Sequence, residues 1–357
     1  MKNNTVTIRD VALKAGVSVG TVSHVLNGAS RHVGALTRER VLSAAQVLQY
    51  RPNVIARSMV KRATATIGLV ITQLNNPLFV PVTEGVESVL REEGYGIILA
   101  SANDMPGEIQ AVETLRSRQV DGFIFMSLSV LYQGDHLLDL NRQGVPFVVI
   151  NRSLEAPEIN RVLVDDIGAS RQATAHLLNL GHSNVATITG PCADRLSAVK
   201  RYQGWLAELT ARDIKPRPGW IVAGDYTYES GYQAACRLLQ TVPHPTALFI
   251  ANESMAVGAL KALADAGVNV PRDIAIVTVG DPPFAAYTTP SLTTMALPVM
   301  EAGRIAARLL VDWLKYGRPD PAQKITLPCE LKVRESCGSY LKTNPDHPQV
   351  PGLKALS

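Results

Sequence analysis

Cysteine is scarce: a chain of 357 residues holds four, and none of them sits in a CxxC pair. Cys192, Cys236, Cys329 and Cys337 are scattered, which excludes a zinc or disulfide framework and fits reduced, partly buried thiols. No apolar run approaches the roughly 18 residues of a membrane-spanning helix, so no membrane partner is expected. The first residues, MKNNTVTIRD, carry no apolar signal core, and the expected compartment is the cytoplasm. The phosphate-cradling patterns GxGxxG and GxxxxGKS/T follow none of the candidate strands, HExxH is missing, and the one GxSxG, at 16–20, falls in a turn between short helices rather than after a strand. Acids, serines and histidines nowhere assemble a spacing that specifies a reaction. These absences argue against an enzyme, and no catalytic residue, metal or cofactor is expected.

What is present reads as a soluble globular protein. Apolar residues make up 46% and charged residues 18%, and the length implies two or three domains. Residues 7–28, TIRDVALKAGVSVGTVSHVLNG, read as two short helices joined by a tight turn. Thr7 and Asp10 stand at capping-box spacing. Ile8, Val11, Ala12 and Ala15 share one helix face. Gly16 falls where the chain must bend, Ser18 restarts the helix as an N-cap, and Asn27-Gly28 closes it. Val22, Val25 and Leu26 form the second apolar stripe. A third helix is expected from Thr37, with Val41, Ala45 and Leu48 at helical spacing, completing a small three-helix core.

Such a packing leaves Val19, Gly20, Thr21, Ser23 and His24 on an outer face. A helix-turn-helix sets the start of its second helix against base edges in the major groove. The alternative is a small bundle with a solvated face, and charge argues against it. Residues 1–62 hold ten Lys or Arg against two acids, a charge of +8, which leaves −4 on the rest of a chain whose formal net charge is +4. A basic head on an acidic body is the footprint of a polyanion-binding module.

Residues 51–65 read as a hinge. Pro52 can open a short helix, Ile55, Ala56 and Met59 would line one side, and Arg57, Lys61 and Arg62 make it basic. A helix this short is marginal in water, so it is expected to form only when docked; a plain flexible linker is the alternative.

From residue 67 the pattern changes. Strand candidates at 67–71, 96–100, 122–125 and 147–150 alternate with helices at about 79–93, 107–118 and 133–143. A second series follows: helix 168–180, strand 185–189, helix 195–211, strand near 220–223, helix 229–240, strand 247–250, helix 252–266 and strand 274–279. This rhythm predicts two Rossmann-like units, each a parallel sheet covered on both faces. Ligands in such sheets sit beyond the carboxyl ends of the strands. Candidate contacts there are Asn75, Asn76 and Phe79; Asn151 and Arg152; Asp165 and Asp166; Arg201; Tyr226; Asn252 and Glu253; and Asp281. Polar forks with one aromatic face suit a hydroxyl-rich ligand. Phe79 could equally be core, Asp165 and Asp166 could cap a helix, Arg152 could serve a surface ion pair, and Trp205 is expected to be a packing residue.

VTIRDVALKAGVSVGTVSHVLNG followed by YRPNVIARSM resembles the lactose-repressor (LacI/GalR) family of bacterial transcription regulators, and the likeness runs from about residue 7 to residue 338. The resemblance implies a small all-α helix-turn-helix head on a two-lobed α/β body, similar to periplasmic sugar-binding proteins. The expected divisions are a head at 1–50, a hinge at 51–65, a body at 66–338 and a disordered tail at 339–357. Lobe 1 would take 66–165 and 295–325, and lobe 2 would take 166–294 and 326–338, with crossings near Asp165, Thr293 and Ile325. The tail has no leucine heptads that would add a tetramer-forming coil.

By the same resemblance, Thr7, Ser18, Val19, Gly20, Thr21, Ser23, His24 and Asn27 contact DNA in the head. Asn53, Ala56, Arg57 and Met59 contact it in the hinge, Met59 matching a leucine that wedges between base pairs. Asn75, Phe79, Asn151, Arg152, Arg201, Tyr226, Asn252 and Asp281 are implied effector contacts. The implied protein is a homodimer on near-palindromic double-stranded operator DNA, a repressor governed by a sugar or sugar derivative. A sugar receptor without a gene-regulatory role is the alternative. Two departures from the family pattern stand out. Gly20 cannot read a base by side chain, so readout there falls to shape or to Val19. Gly280 replaces a common acid, and loss of that carboxylate leaves a sugar acid or sugar phosphate open as ligand.

Overall fold

In the computed structural model the residues described are 6–26, 33–50, 63–72, 77–126, 134–152, 156, 158–193 and 195–343. The chain divides into two compact units, Met1–Ala65 and Thr66–Ser357.

The first unit is built by helices α1 (Ile8–Ala15), α2 (Val19–Leu26) and α3 (Ala35–Val47). Local chemistry fixes their ends. The Thr7 N–H donates to Asp10 Oδ2 at 2.7 Å and the Thr7 hydroxyl donates to the same oxygen at 2.8 Å. Those two bonds hold the Asp10 carboxyl below its ordinary value. Gly16 ends α1 at φ +64°, a left-handed conformation that costs glycine little. Ser18 Oγ accepts from the Thr21 N–H at 3.1 Å and so caps α2. The third helix starts at Ala35 rather than Thr37, because Gly34 is its extended N-cap residue. Val11, Ala12, Ala15, Val22, Val25, Val41, Ala44 and Ala45 form the shared core.

The second unit holds two six-stranded sheets. The first contains β1 (Thr66–Ile71), β2 (Gly96–Ser101), β3 (Gly122–Met126), β4 (Phe147–Ile150), β5 (Arg161–Val164) and a late strand, β11 (Lys324–Leu327), in the order 11-5-4-3-1-2, all parallel. The second contains β6 (Val185–Thr189), β7 (Ile221–Ala223), β8 (Ala247–Ile250), β9 (Ala275–Val279), β10 (Thr293–Ala296) and β12 (Glu330–Lys332), in the order 12-10-9-8-6-7. Only β12 runs antiparallel there, against β10. Central strands such as β9 (AIVTV) are buried at every position, as expected where helices cover both faces.

Helices α4 (Phe79–Glu92), α5 (Met105–Ser117) and α6 (Asp135–Arg142) belong to the first sheet. Helices α7 (Asp166–Asn179), α8 (Leu196–Thr210), α9 (Tyr228–Leu239) and α10 (Glu253–Asp265) belong to the second. Helix α11 (Val299–Tyr316) returns to the first, where Ala302, Ala306 and Leu310 pack with Val82 and Val86 of α4. Trp205 is fully buried in the second lobe's core.

The chain passes between the sheets three times: from β5 to α7, from β10 to α11, and from β11 to β12. Two of these passages touch, since the Asp165 N–H donates to Leu327 O at 3.1 Å and Cys329 Sγ to Asp165 O at 3.9 Å. All three leave from the carboxyl ends of parallel strands. The strand ends of the two lobes therefore flank one set of connections, the place where open α/β sheets receive ligands. Among the described residues no helix is long and apolar enough to cross a membrane.

Candidate nucleic-acid interface and effector site

In the head, Ser18, Val19, Gly20 and His24 are exposed, and Thr21 and Ser23 are half-buried. Packing of Val22 and Val25 inward turns this face of α2 to solvent. Ser18 is partly spent as a cap, its Oγ also lying 2.9 Å from Thr21 Oγ1. Asn27, Asn53, Ala56, Arg57 and Met59 fall outside the described residues, as does Asn75 in the body.

In the second lobe the strand ends converge on one cluster. Arg201, on α8, is 5% exposed. Its Nε donates to Asp166 Oδ1 at 2.8 Å and its Nη1 to Ala251 O at 2.7 Å. Burial disfavours its charge, but Asp166, with Tyr226 and Glu253 nearby, raises the guanidinium pKa overall. Asp165 is the N-cap of α7, accepting from the Gly168 N–H at 2.9 Å, so the two adjacent acids divide capping and ion pairing between them.

Tyr226 follows β7 at φ +73°, a strained conformation for an aromatic residue. Its hydroxyl lies 3.3 Å from Ser197 Oγ, and burial pushes its pKa up. A Cβ on Gly190, at the end of β6, would run into the Tyr226 ring; glycine is what admits it. Asn252 fixes this geometry: its Oδ1 accepts from the Met255 N–H at 3.0 Å as N-cap of α10, and its Nδ2 donates to Tyr226 O at 3.2 Å. Asp281 is tied into the lobe, with Oδ1 at 2.7 Å from Arg334 Nη1 and 2.8 Å from Thr294 Oγ1.

The absent acid at position 280 does not leave the place without a carboxylate. Gly280 has φ +97°, and a Cβ there would collide with Glu253 Oε2. Glu253, at the start of α10, is 2% exposed, and burial raises its pKa. An acid from the neighbouring strand end, Glu253, occupies the space that a side chain at 280 would take. The sequence marked Glu253 only as a strand-end residue; its relation to Gly280 is set by the pairing of β8 with β9.

The first lobe brings its candidates together less well. Phe79 is 6% exposed and packs in the core with Ile71, Val82 and Val86. Arg152 is 1% exposed, and its Nη1 donates to Glu108 Oε1 at 2.6 Å, an oxygen that also lies 2.6 Å from His136 Nε2. This ion pair is buried, whereas the sequence allowed only a surface one. Asn151 is half-buried at φ +50°, its Oδ1 accepting from the Val164 N–H at 3.4 Å. Among the described residues no group of three or more His, Cys, Asp or Glu could hold a metal ion.

A three-helix head joined to two Rossmann-like lobes with polar strand ends defines a class: a DNA-binding module coupled to a small-molecule receptor. Comparison with known proteins agrees. A profile described as bacterial regulatory proteins, lacI family, matches residues 7–53, and a periplasmic binding protein-like domain matches 174–337. The chain is 34% identical over 333 residues to catabolite control protein A of Priestia megaterium, covering 93% of this chain and 99% of that one. It is 37% identical over 338 residues to the HTH-type transcriptional regulator CelR of Thermobifida fusca, covering 92% and 98%. Among solved structures, the lac repressor dimer bound to operator and the anti-inducer ONPF superposes with a TM-score of 0.85 at 29% identity, over 94% of this chain and 99% of that chain. A CelR–cellobiose complex gives 0.69 at 35% identity, over 93% and 99%. The chain belongs to the lacI family of bacterial regulatory proteins.

Proposed function

We propose that this protein is a homodimeric, cytoplasmic transcriptional repressor, without enzymatic activity, whose grip on a near-palindromic operator is set by a sugar bound between its lobes. The observation that carries this reading is the pairing of two features in one chain. One is a basic head with an exposed second-helix face; the other is the Arg201–Asp166–Tyr226–Glu253 cluster at the strand ends of lobe 2. In the head, Val19, Thr21, Ser23 and His24 face base edges, while Thr7, Ser18 and Asn27 position the helix ends on the backbone. In the hinge, Asn53, Ala56, Arg57 and Met59 enter the minor groove. Two-fold symmetry of the dimer imposes two-fold symmetry on the DNA. The relatives include a sugar-bound and an operator-bound regulator, which supports both ends of the reading. Effector and DNA are coupled by about 1–3 kcal/mol in typical allosteric proteins.

Fluorescence anisotropy on a palindromic duplex selected from a random pool tests this. Binding is expected to fall steeply with salt, to exceed that for unrelated duplex, and to respond to at least one sugar. Undiminished affinity after removal of residues 1–62, or indifference to every sugar tried, overturns it.

A further inference from the structure

We propose that Glu253 is the residue that selects the effector: its carboxylate accepts hydrogen bonds from hydroxyls of a neutral polyol, in the space left by the missing side chain at Gly280. This rests on the reading of the body as an effector receptor and names the chemistry of its ligand.

The carboxylate is buried, and its own backbone N–H is the one donor recorded for it. Glu253 is 2% exposed, yet among the described residues no side chain donates a hydrogen bond to its carboxylate and no cation lies within ion-pair distance. Buried carboxylates are costly unless donors surround them, and one backbone donor leaves acceptor positions open on this one. Arg201, the nearby cation, does not supply them. Its Nε and Nη1 are committed to Asp166 and to Ala251 O, and it acts on Glu253 only at a distance.

The placement is specific. Gly280 follows β9 at φ +97°, where a side chain would be strained, and any Cβ would strike Glu253 Oε2. Glutamate at 253 and glycine at 280 thus form a matched pair across neighbouring parallel strands β8 and β9. Gly190 opens the same end of the sheet to the Tyr226 ring. An aromatic face, a hydroxyl from Ser197 and a two-oxygen acceptor are the complement of a sugar ring, whose C–H face stacks and whose vicinal hydroxyls donate.

Charge sets the ligand's sign. Arg201 is matched by Asp166, which leaves Glu253 as a surplus acceptor. A carboxylate or phosphate on the ligand would meet that acid as a like charge; a neutral hydroxyl meets a partner.

Calorimetric titration of the full chain with D-glucose, D-ribose, cellobiose, D-gluconate and D-glucose 6-phosphate tests the assignment. A neutral sugar is expected to bind most tightly. Glu253→Gln, which keeps the shape, is expected to weaken that binding about 10–100-fold. Gly280→Ala, which displaces the carboxylate from the opposite side, is expected to weaken it comparably, and neither variant should gain affinity for the two anions. Thermal unfolding of each variant separates loss of fold from loss of contact. The proposal is overturned if folded Glu253→Gln binds the neutral sugar within two-fold of the parent, if an anion binds most tightly, or if none of the five binds. Anisotropy of the parent on its duplex is read in parallel: DNA binding that responds to a sugar while Glu253→Gln keeps full affinity removes Glu253 and leaves the regulator standing.

Discussion

Arg152 in the first lobe and Arg201 in the second are both buried and both ion-paired, at 2.6 Å to Glu108 and 2.8 Å to Asp166. Their neighbours differ. Around Arg152, one Glu108 oxygen is shared with His136. Around Arg201 lie a half-buried strained tyrosine, a serine hydroxyl and a carboxylate with no donor among the described side chains. The two buried cations therefore differ in their surroundings, and the second lobe is the better place to test for a ligand.

The largest effect should come from breaking the closed cluster. Arg152→Ala takes the guanidinium away from Glu108, a carboxylate at 2% exposure that keeps His136 beside it. Removing one partner of a buried pair costs about 3–5 kcal/mol. Urea unfolding of the body should show that loss, while the affinity of the folded protein for sugar stays within about two-fold. A large loss of sugar affinity at unchanged stability would erase the distinction between the lobes.

How much of this was legible in the sequence follows from the range of the interactions. The capping box at Thr7 and Asp10, the left-handed Gly16 and the Ser18 cap join residues a few positions apart, and each stood where the spacing placed it. Strands buried on both faces were readable as apolar runs. The edge strand β12 has three residues and no alternation, so nothing local announced it. The ion pairs were invisible for a different reason. Arg152 and Glu108 are separated by 44 positions, and Arg201 and Asp166 by 35. Which candidates meet is decided by strand order, not spacing. The strand-end rule named Arg201, Tyr226 and Asn252 as a group because it follows from topology. It named Phe79 and Arg152 on the same grounds, and the structure buries both.

A smaller effect, with a defined pH dependence, sharpens the same contrast. The Glu253 carboxyl titrates near 4.5 when solvated, and burial raises that value in the folded protein. Ionisation then costs the native state more than the unfolded chain. The native state therefore begins to lose stability as pH rises through about 4.5, and the penalty is complete above the raised folded value. Glu253→Gln removes this titration. The variant should match the parent at pH 4 or below and exceed it by about 1–3 kcal/mol at neutral pH, the cost of an unsatisfied buried group. Urea midpoints measured from pH 4 to 8 would show the gap opening. A variant less stable than the parent at pH 8 would mean that the carboxylate already has native donors, and lobe 2 would then resemble lobe 1.

The smallest effect concerns the ring that faces the carboxylate's neighbourhood. The Tyr226 hydroxyl is 3.3 Å from Ser197 Oγ, long for a hydroxyl pair. Tyr226→Phe removes that bond and leaves the ring against Gly190, so the stability cost should fall toward the low end of about 0.5–1.5 kcal/mol. If the ring serves to cover the apolar face of a sugar, Tyr226→Phe should keep affinity within a few-fold and Tyr226→Ala should lose much more. If the hydroxyl is the contact that matters, the two variants lose affinity equally. Titrating both variants with the same neutral sugar therefore separates stacking from hydrogen bonding. The first outcome would leave Glu253 as the main polar contact of the second lobe and Tyr226 as its wall.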